Sequence, residues 1–217
     1  MKVDLVAYTP EPQELLVRAF SKCYQKPANI HVVRKHLKHQ SVLEHVNFTF
    51  DIAVSRVCWE QLVRHRIASY TAQSHRYTDI EEDDCTCYIP QEIFDLPGRA
   101  TTNVNEWIED GKAIYAIYKK WRNLGVSRET ARYLAPKGVC IKATVTMNLR
   151  SLLKLFTLRL DKHAQEEIRV LTGHMYKLVM SKLPDLKNSL DEIILIDCNP
   201  VDKSLFKGDT VDEQKEE

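Results

Sequence analysis

Glycine is scarce in this chain, six residues of 217, and Gly98, Gly111, Gly125, Gly138, Gly173 and Gly208 compose neither G-x-G-x-x-G nor a P-loop. A dinucleotide fingerprint and a triphosphate cradle are therefore both excluded. Long apolar runs are missing too. Stretches such as residues 193–196 are far too short to span a bilayer, and the opening MKVDLVAYTP lacks the apolar block of a signal peptide. The expectation is a cytoplasmic protein with no membrane partner. Neither sign of charge is in excess: 31 lysines and arginines stand against 30 acids, a net charge of +1. Such a balance gives no global field to draw in nucleic acid, so any anion site must be local.

Six cysteines (Cys23, Cys58, Cys85, Cys87, Cys140 and Cys198) in a chain this long, read as cytosolic, argue for free thiols rather than a disulfide framework. Cys85 and Cys87 form a C-x-C after the acidic residues 81–84, but no second Cys or His pair follows at zinc-finger spacing, and no metal is expected. No internal repeat or composition shift marks a boundary. The reading is one domain over residues 1–207, then a polar acidic tail, residues 208–217, expected to be disordered. At this length about 70% of the unfolded chain's surface can be buried, so the core needs no staple.

What the chain does have is periodicity. Val46, Phe48, Phe50, Ile52 and Val54 alternate with more polar neighbours, and Val139, Ile141, Ala143, Val145 and Met147 do the same, which predicts two strands of one sheet. A shorter alternation at Val3, Leu5 and Ala7 predicts a first strand. Pro12 opens a helix reaching about Tyr24, and Asn29 is placed to cap another reaching about Lys38. Trp107, Ile114, Tyr118 and Trp121 recur at near-heptad spacing in a long helix ending near Gly125, where they are expected in the core. Ala164, Ile168, Leu171, Met175 and Leu178 define a further amphipathic helix before Pro184. Strands interspersed with helices, without a regular repeat, indicate an α+β domain with a mixed or antiparallel central sheet flanked by long helices.

A dense donor cluster follows the apolar, helix-like residues 57–63: Arg64, His65 and Arg66, then Ser74, His75 and Arg76. Guanidinium forks bind phosphate through paired charge-assisted hydrogen bonds, and a serine hydroxyl adds a donor. A solvated basic face is the plainer reading. Ile67, Ala68 and Tyr70 are interleaved with the charges, so the segment turns partly inward and its cations need partners.

The wording of this segment is more specific than its charge. RHRIASYTAQS fits R-H-R-x7-S and runs on into His75-Arg76-Tyr77; HQSVLEH precedes it at residues 39–45, and ARYLAP (131–136) and NLRSLLKLFTLRLDKHAQEEIR (148–169) follow. In motif and order the chain resembles the flavin-dependent thymidylate synthases over nearly its whole length, weakening between residues 79 and 127. The resemblance implies an enzyme that takes methylene from methylenetetrahydrofolate, reduces it with a hydride from FADH−, the form of its FAD that NADPH regenerates, and places it on C5 of dUMP. It implies a homotetramer with active sites built from several chains, and no cysteine nucleophile.

By the same resemblance, Gln61, Arg64, Ser74, His75 and Arg76 hold dUMP, joined by Arg132 across a subunit interface. Arg159 contacts the uracil, where a fixed cation favours ionisation at N3 and makes C5 a better nucleophile; without the resemblance it reads as a helix-surface ion pair with Asp161 or His163. FAD is assigned to Ser41 and Glu44, to the Arg64, His65 and Arg66 turn, and to Asn148 and Arg150, with His39 near the flavin. Two positions depart from the family pattern. Ala72 replaces a common acid, so that a uracil or ribose contact is lost or moved to Gln73, and Lys154 stands where histidine or asparagine is usual, a donor to FAD that adds charge. Two other readings stay open: a non-catalytic module holding a nucleotide or RNA on the same arginines, and a different flavin enzyme acting on pyrimidine nucleotides.

Overall fold

A computed structural model describes residues 1–197; the acidic tail and Cys198 lie outside the described residues. In chain order, strand β1 (Lys2–Tyr8) leads to helices α1 (Pro12–Tyr24) and α2 (Ile30–Lys35), a 3-10 turn at Gln40–His45 and strand β2 (Asn47–Ser55). Helix α3 (Arg56–Leu62) and strand β3 (Ser69–Ala72) carry the motif segment. Helices α4 (Gln91–Asp95), α5 (Ala100–Asn123) and α6 (Arg128–Ala131) precede strand β4 (Cys140–Asn148), and α7 (Leu149–Arg159), α8 (Glu166–Met180) and α9 (Lys187–Asp197) follow it. The sheet is antiparallel throughout, in the order β1-β2-β4-β3.

Alternation decides which face of the sheet is core. Val46, Phe48, Phe50, Ile52 and Val54, and from β4 Ile141, Ala143, Val145 and Met147, are buried and join residues of α1, α3, α7, α8 and α9 in one apolar cluster. Glu167, in the first turn of α8, is buried with them. Its carboxylate accepts from the Ser55 amide at 2.7 Å and from the Ser55 hydroxyl, so a charge is tolerated because two donors meet it. The helix caps follow their chemistry: Asn29, Ser55 and Asn148 side chains accept from the amides of Val32, Cys58 and Ser151.

Three elements differ from the sequence-based expectations. Helix α2 stops at Lys35, three residues early, where the chain turns before the 3-10 segment. Strand β3 lies within the motif, where charge hides a four-residue edge strand. Helix α5 ends near Gly125 as expected, with that residue at φ +89°, but its aromatics are not all core: Tyr118 is 2% exposed, whereas Trp107 and Trp121 stay about 40% exposed. The reason is that α5 packs through a narrow strip. Gly111 lets it approach the 83–86 turn so closely that a Cβ would fall 2.4 Å from the Thr86 methyl, and Tyr118 joins Ile80, Cys85, Ala131 and Val139 in a small second core. Among the described residues no helix is long and apolar enough to cross a membrane.

Candidate functional site

The motif segment hangs between the end of α3 and the edge strand β3, and Tyr70 holds its shape. The Tyr70 hydroxyl lies 2.9 and 2.8 Å from the carbonyl oxygens of Leu62 and His65, while its ring meets Trp59 edge-on. Burial pushes the phenol up to about 12, so it remains a donor. The 64–66 turn is thereby pinned with Arg64 and Arg66 exposed and His65 facing inward.

His65 meets the far end of α7. Arg159 Nε donates to His65 Nε2 at 3.1 Å, and Arg159 also donates to the Gln61 carbonyl oxygen at 3.4 Å. Burial, followed by the Arg159 and Lys154 charges, holds the imidazole down at about 4, which keeps it neutral and able to accept. Asp161 and His163, the neighbours in sequence, pair with each other at 2.9 Å. The Gln61 side chain reaches Gln165 at 3.3 Å. Around His65 therefore stand Arg159 and Lys154, with exposed Arg64 and Arg66 flanking it in sequence, a local cationic patch in a nearly neutral chain.

A second group lies near the start of β4. Ser74 opens a turn in which its hydroxyl accepts from the Arg76 amide at 3.4 Å. Arg76 pairs with Glu129 at 2.9 Å, and Arg132 Nε donates to the Glu129 carbonyl oxygen at 3.2 Å, so Arg76 and Arg132 converge within one chain. His75 is only 3% exposed. It faces inward, its Nδ1 3.4 Å from the Arg56 guanidinium, and its Nε2 has no partner among the described residues. Burial and the Arg56 charge lower its pKa. Ala72 and Gln73 line a shallow cleft of about 620 Å³ on the polar face of the sheet with Lys2, Asp51 and Lys142; the Gln73 amide donates to Thr78 at 3.0 Å.

A third group sits at the opposite end of β4. Asn148 caps α7, and Glu44 and Arg150 are paired with each other across 106 residues of sequence. Ser41 and His39 are exposed nearby in sequence, with His39 Nε2 2.8 Å from the Tyr24 hydroxyl. From Lys142, beside the second group, to Asn148 the strand spans about 20 Å, so one chain does not gather all the expected ligands into one cavity.

The sequence gives no sign of the partners of Tyr70, Gln165 or Asp79, although Tyr70 stands out as an apolar residue among the charges. Asp79 accepts from Arg122 at 2.7 Å, Arg128 at 2.8 Å and Tyr118 at 3.0 Å, and these bonds, Arg122 foremost, hold its carboxyl at about 2. It ties the end of the motif to α5 and α6. An acid directly after the motif was the available signal, but its three partners lie 39 to 49 residues away.

Residues 4–185 match the family model described as thymidylate synthase complementing protein. Among curated proteins, flavin-dependent thymidylate synthases of Pyrococcus horikoshii (40% identical over 204 residues, 86% of this chain and 82% of the relative) and Geobacter sulfurreducens (36% over 203 residues, 86% and 85%) are similar to it. Among solved structures, a UMP/dUMP methylase, PolB, from Streptomyces cacaoi bound with 5-Br dUMP aligns at TM-score 0.73 and 18% identity, covering 88% of this chain and 94% of that one. Thymidylate synthase X from Helicobacter pylori with FAD and dUMP aligns at TM-score 0.66 and 20% identity, covering 89% and 99%. At such identities these two speak for the fold.

Proposed function

The chain belongs to the thymidylate synthase complementing protein family, and from that premise we propose that it converts dUMP to dTMP as a flavin-dependent thymidylate synthase. Methylenetetrahydrofolate supplies the carbon, and the FAD cofactor, reduced to FADH− by NADPH, supplies the hydride. The observation that carries the reading is the Arg159–His65 junction, which brings the R-H-R turn and the end of α7 together as a cationic patch in an otherwise balanced chain. The relatives are synthases and give no support to a non-catalytic nucleotide- or RNA-binding module.

The residues divide the work by their chemistry. Arg159 spends one N–H on His65 and one on the Gln61 carbonyl oxygen, and its remaining donors are free to face uracil, where the fixed charge favours an ionised ring. Arg76 and Arg132, with Arg64 and Ser74, suit the phosphate of dUMP. The present partner of Arg76 is the half-exposed Glu129 carboxylate, an ion pair weak enough for a phosphate to replace. Gln61 and Gln73 offer amides to ribose or base, and His75 supports the Ser74 turn from beneath. For FAD, the exposed Arg64, Arg66 and Lys154 fit a pyrophosphate, His65 completes that turn, and Ser41, Glu44, Asn148, Arg150 and His39 form the other wall.

The second and third groups sit at opposite ends of β4, and a homotetramer in which one copy's second group faces another copy's third group supports a complete site. Trp107, Ile117 and Trp121 on α5 and Leu124 just after it, each at least 40% exposed, give such an assembly apolar surface to bury. The test is direct: purified protein holds FAD, and its reduced flavin is reoxidised by methylenetetrahydrofolate with dTMP formed when dUMP is present and not when it is absent. Protein that takes up no FAD and forms no dTMP overturns the reading.

A further inference from the structure

The polypeptide leaves the sheet region at Cys87, travels through α4, α5 and α6, and returns at Cys140, the first residue of β4. At this neck the two thiols meet, with Cys87 Sγ 2.8 Å from Cys140 Sγ across 53 residues of sequence. Other contacts hold the same place: the Met1 amino group donates to the Cys87 carbonyl oxygen at 2.8 Å, and Lys142 pairs with the buried Asp84 at 3.1 Å. From this geometry we propose that Cys87 and Cys140 are a reversible thiol–disulfide pair that staples the 88–139 excursion to the sheet.

The sulfurs need approach by less than about 1 Å to reach the 2.05 Å of a disulfide, and the surrounding contacts already hold both strands of the neck. Cys85, two residues away, is turned into the small second core with Tyr118 and Val139, where burial pushes its thiol up to about 11; it is the wrong cysteine for this bond. Cys140 receives the Cys87 S–H, which stabilises its thiolate, while Cys87 is the partly exposed member. A peroxide is small enough to serve as oxidant. The Cys140 thiolate attacks one peroxide oxygen, the O–O bond breaks, and a sulfenic acid and hydroxide form. Cys87 sulfur then attacks Cys140 sulfur, expelling the sulfenic oxygen as water with the Cys87 proton. Two thiols have lost two electrons and two protons, and one peroxide has become two waters.

The closed loop contains more than fifty residues, so the bond restricts the unfolded chain strongly. The experiment treats the full-length FAD-loaded protein with hydrogen peroxide, then maps non-reduced peptides by mass spectrometry and measures Tm. The expected result is a Cys87–Cys140 linked peptide, loss of two titratable thiols, a Tm raised by about 5 °C or more, and full reversal by dithiothreitol. Cys85→Ser forms the same link, and Cys87→Ala forms none. Unlinked cysteines after oxidation, or a link that uses Cys85 or Cys23, overturns the proposal, and the wild-type peptide map decides this even where a variant folds poorly.

Discussion

Arg159 Nε donates to His65 Nε2 at 3.1 Å, joining the last residue of α7 to the middle of the R-H-R turn across 94 residues of sequence. The bond needs a neutral imidazole, since a protonated ring has no lone pair to accept with. Burial and two neighbouring cations enforce that state.

The first consequence is a pH dependence of stability. An unfolded imidazole titrates near 6.5, whereas His65 in the fold titrates at about 4. Between those values the unfolded chain takes up the proton first, so stability is complete above pH 6.5 and falls as the pH drops toward 4. Allowing for partial exposure, the loss is about 2 kcal/mol. Urea melts of wild type and His65→Gln should diverge over this range, with the glutamine variant flatter; superimposable acid limbs would remove His65 from the account.

Arg159→Ala should keep its fold and FAD but form dTMP about 100-fold more slowly or worse, the scale of losing one preorganised charge aimed at the reacting ring. Arg159→Lys should recover little, because an ammonium cannot reproduce a planar fork that meets His65 and the Gln61 carbonyl oxygen while facing a ligand. Near-normal turnover in the alanine variant would make Arg159 structural.

Glu129 holds Arg76 through its side chain and Arg132 through its carbonyl oxygen. If dUMP phosphate replaces the carboxylate, Glu129→Gln should lower KM for dUMP a few-fold with kcat little changed, and Arg76→Ala should raise it strongly. Steady-state kinetics at fixed methylenetetrahydrofolate separates the two parameters. A raised KM in Glu129→Gln contradicts the exchange.

Asp79 anchors the end of the motif to α5 and α6. Its carboxyl lies below the unfolded value of about 3.9, at about 2, so its contribution is present above pH 4 and lost as the pH falls toward 2. Asp79→Asn keeps the shape and removes the charge; discounted for solvent screening, the cost is about 1 kcal/mol at pH 7. Thermal melts showing no difference at pH 7 would mean that the three bonds are incidental.

The exposed stripe on α5 predicts self-association. Trp121→Glu should reduce the assembly size measured by light scattering and, with it, turnover. An unchanged mass would place the subunit contact elsewhere.

The chain's local patterns determined a good part of this protein. Alternation at residues 46–54 and 139–147 marked the two central strands and their buried face, because every second side chain of a strand shares one environment. Pro12, Asn29 and Gly125 marked helix boundaries because each meets a backbone requirement of a helix end. The wording of R-H-R-x7-S was enough to mark the family. Tertiary structure alone decided that Arg159 serves His65, that Asp79 gathers Arg122 and Arg128, that His75 turns inward, and that Cys87 meets Cys140. It also decided that Trp107 and Trp121 remain exposed although their spacing marks a helix face. Periodicity reports which way a side chain points from its own element. What it meets there depends on how distant elements are brought together, and each of these partnerships spans tens of residues.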